Sequence, residues 1–296
     1  MSEKIIKQKI FSVLALLCLA LIVWLPDLFA DDLWSPVCDP DLLCVVFMDV
    51  GQGDAIFIQS PSGKQLLVDG GRDNSVLRHL GEILSFSDRD IDYMLITHPD
   101  SDHINGLSEV LDRYDIHHII YTENNNDTDI WRLIKKKIAT EGSDNHFARR
   151  GQRYDLGTDV YLDILLPDVD VSDYESNSSS IVARLVYGQN SVMLTGDSPK
   201  AIEEYLVLIE GDNLASDILK VGHHGSRTST SELFLSEVDP LYAVISAGRN
   251  NSYGHPHVEV TDLLFNYGVT TLSTIEEGNI VFYLDGLNAP QLQNAK

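Results

Sequence analysis

Residues 98–103 read His-Pro-Asp-Ser-Asp-His. The preceding run, Tyr93-Met-Leu-Ile-Thr97, is apolar and reads as a strand, and a helical pattern follows from Asn105 to Arg113. Four groups able to ligate a metal (His98, Asp100, Asp102 and His103) therefore share one short loop between a strand and a helix. Carboxylates and imidazoles crowded at the mouth of a buried strand are costly to hold together unless a cation neutralises them. His98 and Asp100 lie two apart and can turn toward one point. The adjacent Asp102 and His103 can turn toward a second. That spacing suits two cations roughly 3.5–4 Å apart.

Two later segments offer what the loop lacks. Ser191-Val-Met-Leu-Thr-Gly-Asp197 is an apolar strand ending in Gly-Asp, and the two oxygens of Asp197 can bridge two cations. Leu219-Lys-Val-Gly-His-His-Gly-Ser226 is again a strand running into histidines. A lone histidine in such a place is more often structural. The combination is read as a metal centre, because a site for one ion would leave part of the set without a partner.

His-x-Asp-x-Asp-His, Thr-Gly-Asp and Lys-Val-Gly-His-His-Gly-Ser together resemble the metallo-β-lactamase superfamily. More narrowly they resemble the metallohydrolase domain of DNA-internalisation competence proteins, ComEC type. Met48-Asp-Val-Gly-Gln-Gly-Asp-Ala55, Leu67-Val-Asp-Gly-Gly71, Ile245-Ser-Ala-Gly248 and Asn251-Ser-Tyr-Gly-His-Pro256 match the same branch. The resemblance runs from about Leu43 to Tyr283. It implies a four-layer αββα sandwich, two sheets face to face with helices outside, and a metal site at one edge.

It also implies roles for individual residues. One divalent ion would take His98, Asp100 and Asp197. A second would take Asp102, His103, Asp197 and one of His223 and His224, with His223 expected as the ligand and His224 as a contact to a substrate oxygen. Asp102, His224 and His255 are the expected catalytic contacts. Asn177 and Ser180, in Asn177-Ser-Ser-Ser180, and Ser226 are expected to bind substrate. Asp49, Asp54 and Asp69 are expected behind the ligands, accepting the outer N–H of metal-bound histidines. Asp100 stands where many superfamily members carry histidine, and no imidazole comes from the middle strand region. The first position is therefore oxygen-rich. Mn²⁺ becomes as reasonable there as Zn²⁺, and β-lactam hydrolysis is disfavoured. Two such ions would polarise a phosphoryl oxygen and ready a hydroxide for in-line attack.

The expected activity is thus a metal-dependent phosphodiesterase or nuclease, with single-stranded DNA as one candidate substrate and DNA-uptake components as candidate partners. Alternatives are an exported phosphoesterase acting on a smaller cell-envelope phosphoester of the phosphocholine type, and a non-catalytic metal-binding partner of an uptake complex. The formal net charge of −24 pulls toward the smaller substrate, because it repels phosphate backbones at long range. One segment runs the other way. Arg132, Lys135, Lys136, Lys137, Arg149, Arg150 and Arg153 face only Glu141 and Asp144 between Trp131 and Arg153. The preferred interpretation is a solvated helix face followed by a basic turn, and the alternative is a groove for a phosphate backbone.

Lys4, Lys7 and Lys9 precede an apolar stretch, Ile10 to Leu25, closed by Pro26. Residues 1–30 are expected to be a cleaved signal peptide or a single anchor in the inner membrane, with the body outside the cytoplasm, periplasmic or at the cell surface. Residues 31–41 read as a linker, 42–285 as the hydrolase domain and 286–296 as a loose polar tail. Cys38 and Cys44 can pair in an oxidising compartment or remain thiols. Gly51-Gln-Gly53 lacks a phosphate-loop pattern and reads as a tight turn between two strands. Strands are predicted at 43–49, 55–59, 65–69, 93–97, 117–121, 160–166, 181–187, 191–195, 217–221, 241–246, 270–272 and 279–284. Helices are predicted at 75–85, 105–112, 129–140, 199–209, 231–236 and 257–266.

Overall fold

Near-continuous apolar runs such as Leu43-Cys-Val-Val-Phe47 mark strands covered on both faces, and the arrangement of the strands bears this out. The computed structural model describes residues 37–293. The expected leader, 1–30, and most of the 31–41 linker lie outside the described residues. Fifteen strands are described: β1 (Leu43–Phe47), β2 (Ile56–Gln59), β3 (Gln65–Val68), β4 (Asp90–Ile96), β5 (Asp115–Tyr121), β6 (Asp144–Phe147), β7 (Arg153–Gly157), β8 (Val160–Leu166), β9 (Val182–Tyr187), β10 (Asn190–Leu194), β11 (Ile218–Lys220), β12 (Tyr242–Ile245), β13 (Thr270–Ser273), β14 (Ile280–Leu284) and β15 (Gln291–Leu292). They form two sheets, in the orders β15-β14-β1-β2-β3-β4-β5-β6 and β13-β12-β11-β10-β9-β8-β7.

The sheets face one another across an apolar core that includes Phe47, Ile58, Leu95, Leu162, Leu185, Val192 and Phe282. Helices cover the outer faces. Asp129–Glu141 turns Trp131, Ile134 and Ile138 inward, at the spacing a helix needs for one apolar stripe. Its start is capped by Thr128, whose hydroxyl accepts from the Trp131 N–H at 3.3 Å. Lys200–Glu210, Glu232–Val238 and Val258–Asn266 bury Leu206, Phe234, Leu235 and Leu264 against Met193, Leu219 and Ala243 of the second sheet. The fold is the αββα sandwich expected from the sequence.

Strand direction positions the site. β3, β4, β5 and β6 run parallel, and β1, antiparallel to β2, shares their direction. β10, β11, β12 and β13 run parallel in the other sheet. The loops after β1, β3, β4, β10, β11 and β12 carry Asp54, Asp69, His98–His103, Asp197, His223–His224 and Ser246 respectively. Carboxyl ends of parallel strands are where open α/β sheets gather ligands.

Three strands escape the hydropathy pattern. β6 is Asp-Asn-His-Phe and largely exposed, β7 is mostly polar, and β15 has two residues. Each owes its conformation to a paired neighbour. β15 pairs with β14, the Gln189 N–H donates to the Gly286 carbonyl at 2.8 Å, and Asn190 donates to the Asn288 carbonyl at 2.7 Å. Residues 286–293 are therefore tied down, where a loose tail was expected. The helix expected at 105–112 is two short turns, Ser101–Ile104 and Leu107–Val110. Between them Gly106 runs so close to the Gly70 carbonyl that a Cβ would lie 2.1 Å from its oxygen. Cys38 and Cys44 form a disulfide, with Cα atoms 5.4 Å apart.

Candidate metal centre

Three imidazoles are fixed by their outer nitrogens. His103 Nδ1–H donates to Asp69 Oδ2 at 2.8 Å, and His224 Nδ1–H donates to the Ser246 carbonyl at 2.9 Å. Thr97 Oγ1–H donates to Asp69 Oδ2 at 2.6 Å, so Thr97 Oγ1 can only accept from His98 Nδ1–H, at 3.0 Å. Because a carbonyl or carboxylate only accepts, each acceptor dictates which nitrogen carries the proton. Nε2 points inward in all three rings and offers a lone pair to a metal whenever that nitrogen carries no proton. Outer hydrogen bonds of this kind accompany most metal-bound histidines.

The inward atoms are evenly spaced. His103 Nε2 lies 3.3 Å from His224 Nε2 and 3.4 Å from Asp197 Oδ1. His224 Nε2 lies 3.4 Å from Asp197 Oδ2 and 3.3 Å from Asp102 Oδ2. A tetrahedral ion with bonds of about 2.0–2.1 Å holds its ligand atoms roughly 3.3–3.4 Å apart. His98 Nε2 stands 3.8 Å from both Asp100 Oδ2 and Asp197 Oδ2, a looser set on the other side of Asp197. His98 Nε2 and Asp197 Oδ1 are buried with no hydrogen-bond partner. Orphaned polar atoms cost free energy in a dry interior, and a divalent cation would satisfy both. The donor set fits a metal.

Electrostatics point the same way. Burial pushes His98 down to about 4, so its ring is neutral at physiological pH. Burial also works against charge on His103 and His224, but Asp197 outweighs it and carries both well above the usual imidazole range. Asp197 is held well below the usual carboxylate range despite its burial, chiefly by His224 and His103. A proton held in this cage and a cation compete for the same inward positions. Behind it, Lys220 is fully buried and ion-pairs with Asp54 at 2.5 Å. Burial alone would raise Asp54, yet Lys220 and His224 bring it to about 2.

The backbone at the site adopts costly conformations. Asp69, His223 and His224 have φ of 55°, 48° and 55°, the left-handed region that few non-glycine residues occupy, aspartate and histidine more often than most. At Gly53 a Cβ would fall 1.9 Å from the Asp102 carbonyl oxygen, so the β1–β2 turn meets the metal loop only because that residue is glycine.

A model of the metallo-beta-lactamase superfamily matches residues 48–249. The chain belongs to that superfamily. ComE operon protein 3 of Bacillus subtilis is 30% identical over 255 residues, covering 80% of this chain and 32% of the relative. Recombination protein 2 of Haemophilus influenzae is 34% identical over 252 residues, covering 82% and 29%. The chain thus spans about a third of the length of these curated relatives. Among solved structures, the metallo-beta-lactamase fold protein YhfI of Bacillus subtilis superposes with a TM-score of 0.55 at 14% identity, over 82% of this chain and all of that one. At that identity the likeness shows the shared fold alone.

Within this metallo-beta-lactamase domain the expected residues fall into three groups. His98, Asp100, Asp102, His103 and Asp197 converge as described. The placement of the histidine pair inverts its expected order. His224 is buried with Nε2 among the ligands, while the side chain of His223 is 26% exposed and its Nε2 lies 3.9 Å from Asp197 Oδ2. His223 instead bonds to Thr228 at 3.1 Å and meets the Asn177 amide at 3.4 Å. Left-handed backbone at both residues turns His224 inward, where the Ser246 carbonyl holds its outer nitrogen, and turns His223 toward Thr228. Asp54 and Asp69 stand behind the imidazoles, as expected.

Asp49 does not stand there. Its carboxylate accepts the Gly51 N–H at 3.2 Å and shapes the turn. Ser180 is buried, and its hydroxyl accepts the Asp197 N–H at 3.2 Å, so it orients a ligand and does not face substrate. Ser226 is buried and bonded to Thr228 at 2.9 Å within its own loop. His255 does reach the cleft, whereas the Asn177 amide approaches only the His223 ring at its wall, 3.4 Å away. His255 lines the cleft, with its ring centroid 5.5 Å from that of His223, and burial lowers it to about 4.

Sequence reasoning missed Lys220, Thr97, Gln52 and Glu203. Lys220 opens Lys-Val-Gly-His-His-Gly-Ser, but nothing in its sequence neighbours signals its complete burial. Gln52 lines the cleft with its Nε2 unpaired. Glu203 accepts the Thr230 and Ser231 N–H groups at 2.7 and 2.6 Å, and burial raises it to about 7. It thereby fixes the chain that follows the His223–His224 turn.

Proposed function

We propose that this domain is a two-cation phosphodiesterase that acts outside the cytoplasm on the phosphate groups of nucleic acid, most directly a single strand. The carrying observation is the inward lone pair on three imidazoles whose outer nitrogens are all fixed, gathered around Asp197 with Asp100 and Asp102. His103, His224, Asp102 and Asp197 would hold one divalent ion, and His98, Asp100 and Asp197 the other, Mn²⁺ or Zn²⁺. Such ions, when bound, polarise a phosphoryl oxygen and bring the pKa of a water toward neutrality.

The chain's own groups would do the rest. Asp69 and the Ser246 carbonyl keep His103 and His224 in the ligating tautomer. Ser180 aims Asp197. The cleft holds a cavity of about 130 Å³, room for a phosphate ester or a few waters at roughly 30 Å³ each. His255, neutral at physiological pH, and the unpaired Gln52 amide stand where they can hydrogen-bond phosphoryl oxygens. His223 and Tyr253 also line the cleft.

Relatives named for competence and recombination support nucleic acid as the substrate. The disulfide supports an oxidising compartment. Anchoring through residues 1–30 and association with uptake components belong to the same proposal. The smaller envelope phosphoester is the second reading, favoured by the net charge and by the ion-pairing of the basic segment. Assays of single-stranded DNA and of a chromogenic phosphodiester, each with Mn²⁺ and with Zn²⁺, separate the two. Cleavage of the chromogenic ester without DNA cleavage selects the second. Inactivity on every phosphoester by a metal-loaded protein rejects both.

A further inference from the structure

His118 on β5 and Asp144 and His146 on β6 form a second convergence of metal-ligating side chains, sharing no residue with the centre above. The parallel register sets His118 opposite Asp144, and His146 lies two residues farther along the same face of β6. Both rings address a single oxygen. His146 Nε2 is 3.0 Å and His118 Nδ1 3.7 Å from Asp144 Oδ2, and the three ligand atoms lie within 4.8 Å of one another. These distances bracket the roughly 3.3–3.4 Å that a tetrahedral ion imposes on its ligands. The His118 ring is held in place by stacking on Tyr93, with centroids 4.9 Å apart and planes 18° from parallel. The side chains of His118, Asp144 and His146 are 39%, 63% and 40% exposed, which leaves a path for an ion and a fourth position for water.

We propose that this trio is a separate metal-binding site for a borderline divalent ion. Two imidazoles and one carboxylate suit Zn²⁺, Cu²⁺ or Ni²⁺ better than the harder Mn²⁺. The ion would clip β6 to β5. β6 is an edge strand of four residues with little buried apolar surface, so a cross-strand ligand set gives it an anchor that hydrophobic burial does not. The site stands independently of the phosphodiesterase proposal.

The test is Zn²⁺ titration of the full chain against His118→Ala/His146→Ala, with Asp197→Asn as the reciprocal control. The double variant is expected to lose one saturable Zn²⁺ equivalent, to keep the equivalents that Asp197→Asn removes, and to leave phosphoester turnover unchanged. In the Asp197→Asn background, Zn²⁺ is expected to raise Tm by about 3 °C, and adding the two alanines abolishes that rise. His118→Gln/His146→Gln, which keeps polar side chains of similar size, replaces the alanines if circular dichroism shows them misfolded. Identical Zn²⁺ stoichiometry in the folded double variant and the wild type overturns the proposal.

Discussion

The loop at 98–103 and the segment at 131–153 are both dense in charge, and the fold treats them in opposite ways. In the basic segment five of the seven cations are matched to an acid: Arg132 to Asp127 and Asp129, Lys137 to Asp112, Arg149 to Glu123, Arg150 to Glu210 and Arg153 to Asp163. Lys135 sits over the Trp131 ring. The segment is electrically satisfied by its own chain. At the metal loop, like-charged carboxylates and inward lone pairs face one another around buried atoms that lack partners. The count of charged residues does not distinguish the two regions. Whether the complement is already present does, and only the second needs something from outside.

The largest effect that would sharpen this contrast is at Asp197. Asp197→Asn keeps the shape but removes the charge of the carboxylate shared by both proposed ions. Phosphoester turnover is expected to fall about 10³-fold, roughly 4 kcal/mol in barrier, as read by steady-state kinetics with saturating Mn²⁺. Turnover within tenfold of wild type would place the chemistry elsewhere. Next comes Lys220→Met, which strands the Asp54 carboxylate in the interior. Removing one partner of a buried pair costs about 3–5 kcal/mol, measurable by urea denaturation. A loss below about 1 kcal/mol would make this pair no different from those of the basic segment.

A pH series comes third. In the ion-free protein, His103 and His224 titrate well above the ordinary 6.5, so their contribution is complete below that value and fades as pH rises through the elevated ones. Glu203, raised to about 7, also costs stability as pH rises from its ordinary 4.5. Asp54 works at the other end, contributing above its ordinary 3.8 and losing that contribution only as pH falls toward 2. Ion-free protein is therefore expected to be most stable at mildly acidic pH and to lose Tm between pH 7 and 9, while added divalent ion restores Tm at the alkaline end. A flat ion-free profile over that range would contradict the caged-proton picture. The smallest effect is at Arg149→Ala, where a partly exposed pair is removed. Stability is expected to change by about 1 kcal/mol or less, and turnover on single-stranded DNA by less than twofold. A large drop on DNA alone would turn the basic segment into a substrate groove and erase the contrast.

The parts of the molecule that the sequence made legible share a local signature. The sandwich core is built from runs such as Leu43–Phe47 and Ser191–Leu194, whose apolarity alone marks them as buried. His98, Asp100, Asp102, His103 and Asp197 were legible because they cluster within a few residues at strand ends. What stayed hidden depends on contacts between distant segments. The order of His223 and His224 is set by two left-handed backbone conformations and by the Ser246 carbonyl. Ser180 turns to Asp197 and Ser226 to Thr228, so hydroxyls expected at substrate are occupied by the fold. Asp49 sits in a motif beside Asp54, yet a turn in β1–β2 sends one carboxylate to a backbone N–H and the other to Lys220. β6 and β15 carry no apolar pattern and exist through their pairing.

Metal content decides the central claim most directly. Protein dialysed free of ions and titrated with Mn²⁺ or Zn²⁺ at pH 7.5 is expected to bind two tight equivalents per chain at the Asp197 centre, both lost together in Asp197→Asn while circular dichroism stays native; with Zn²⁺ the equivalent at His118, Asp144 and His146 is bound in addition and survives that substitution. A folded wild-type chain that takes up neither ion at that centre, with Asp197→Asn indistinguishable from it, would contradict the claim.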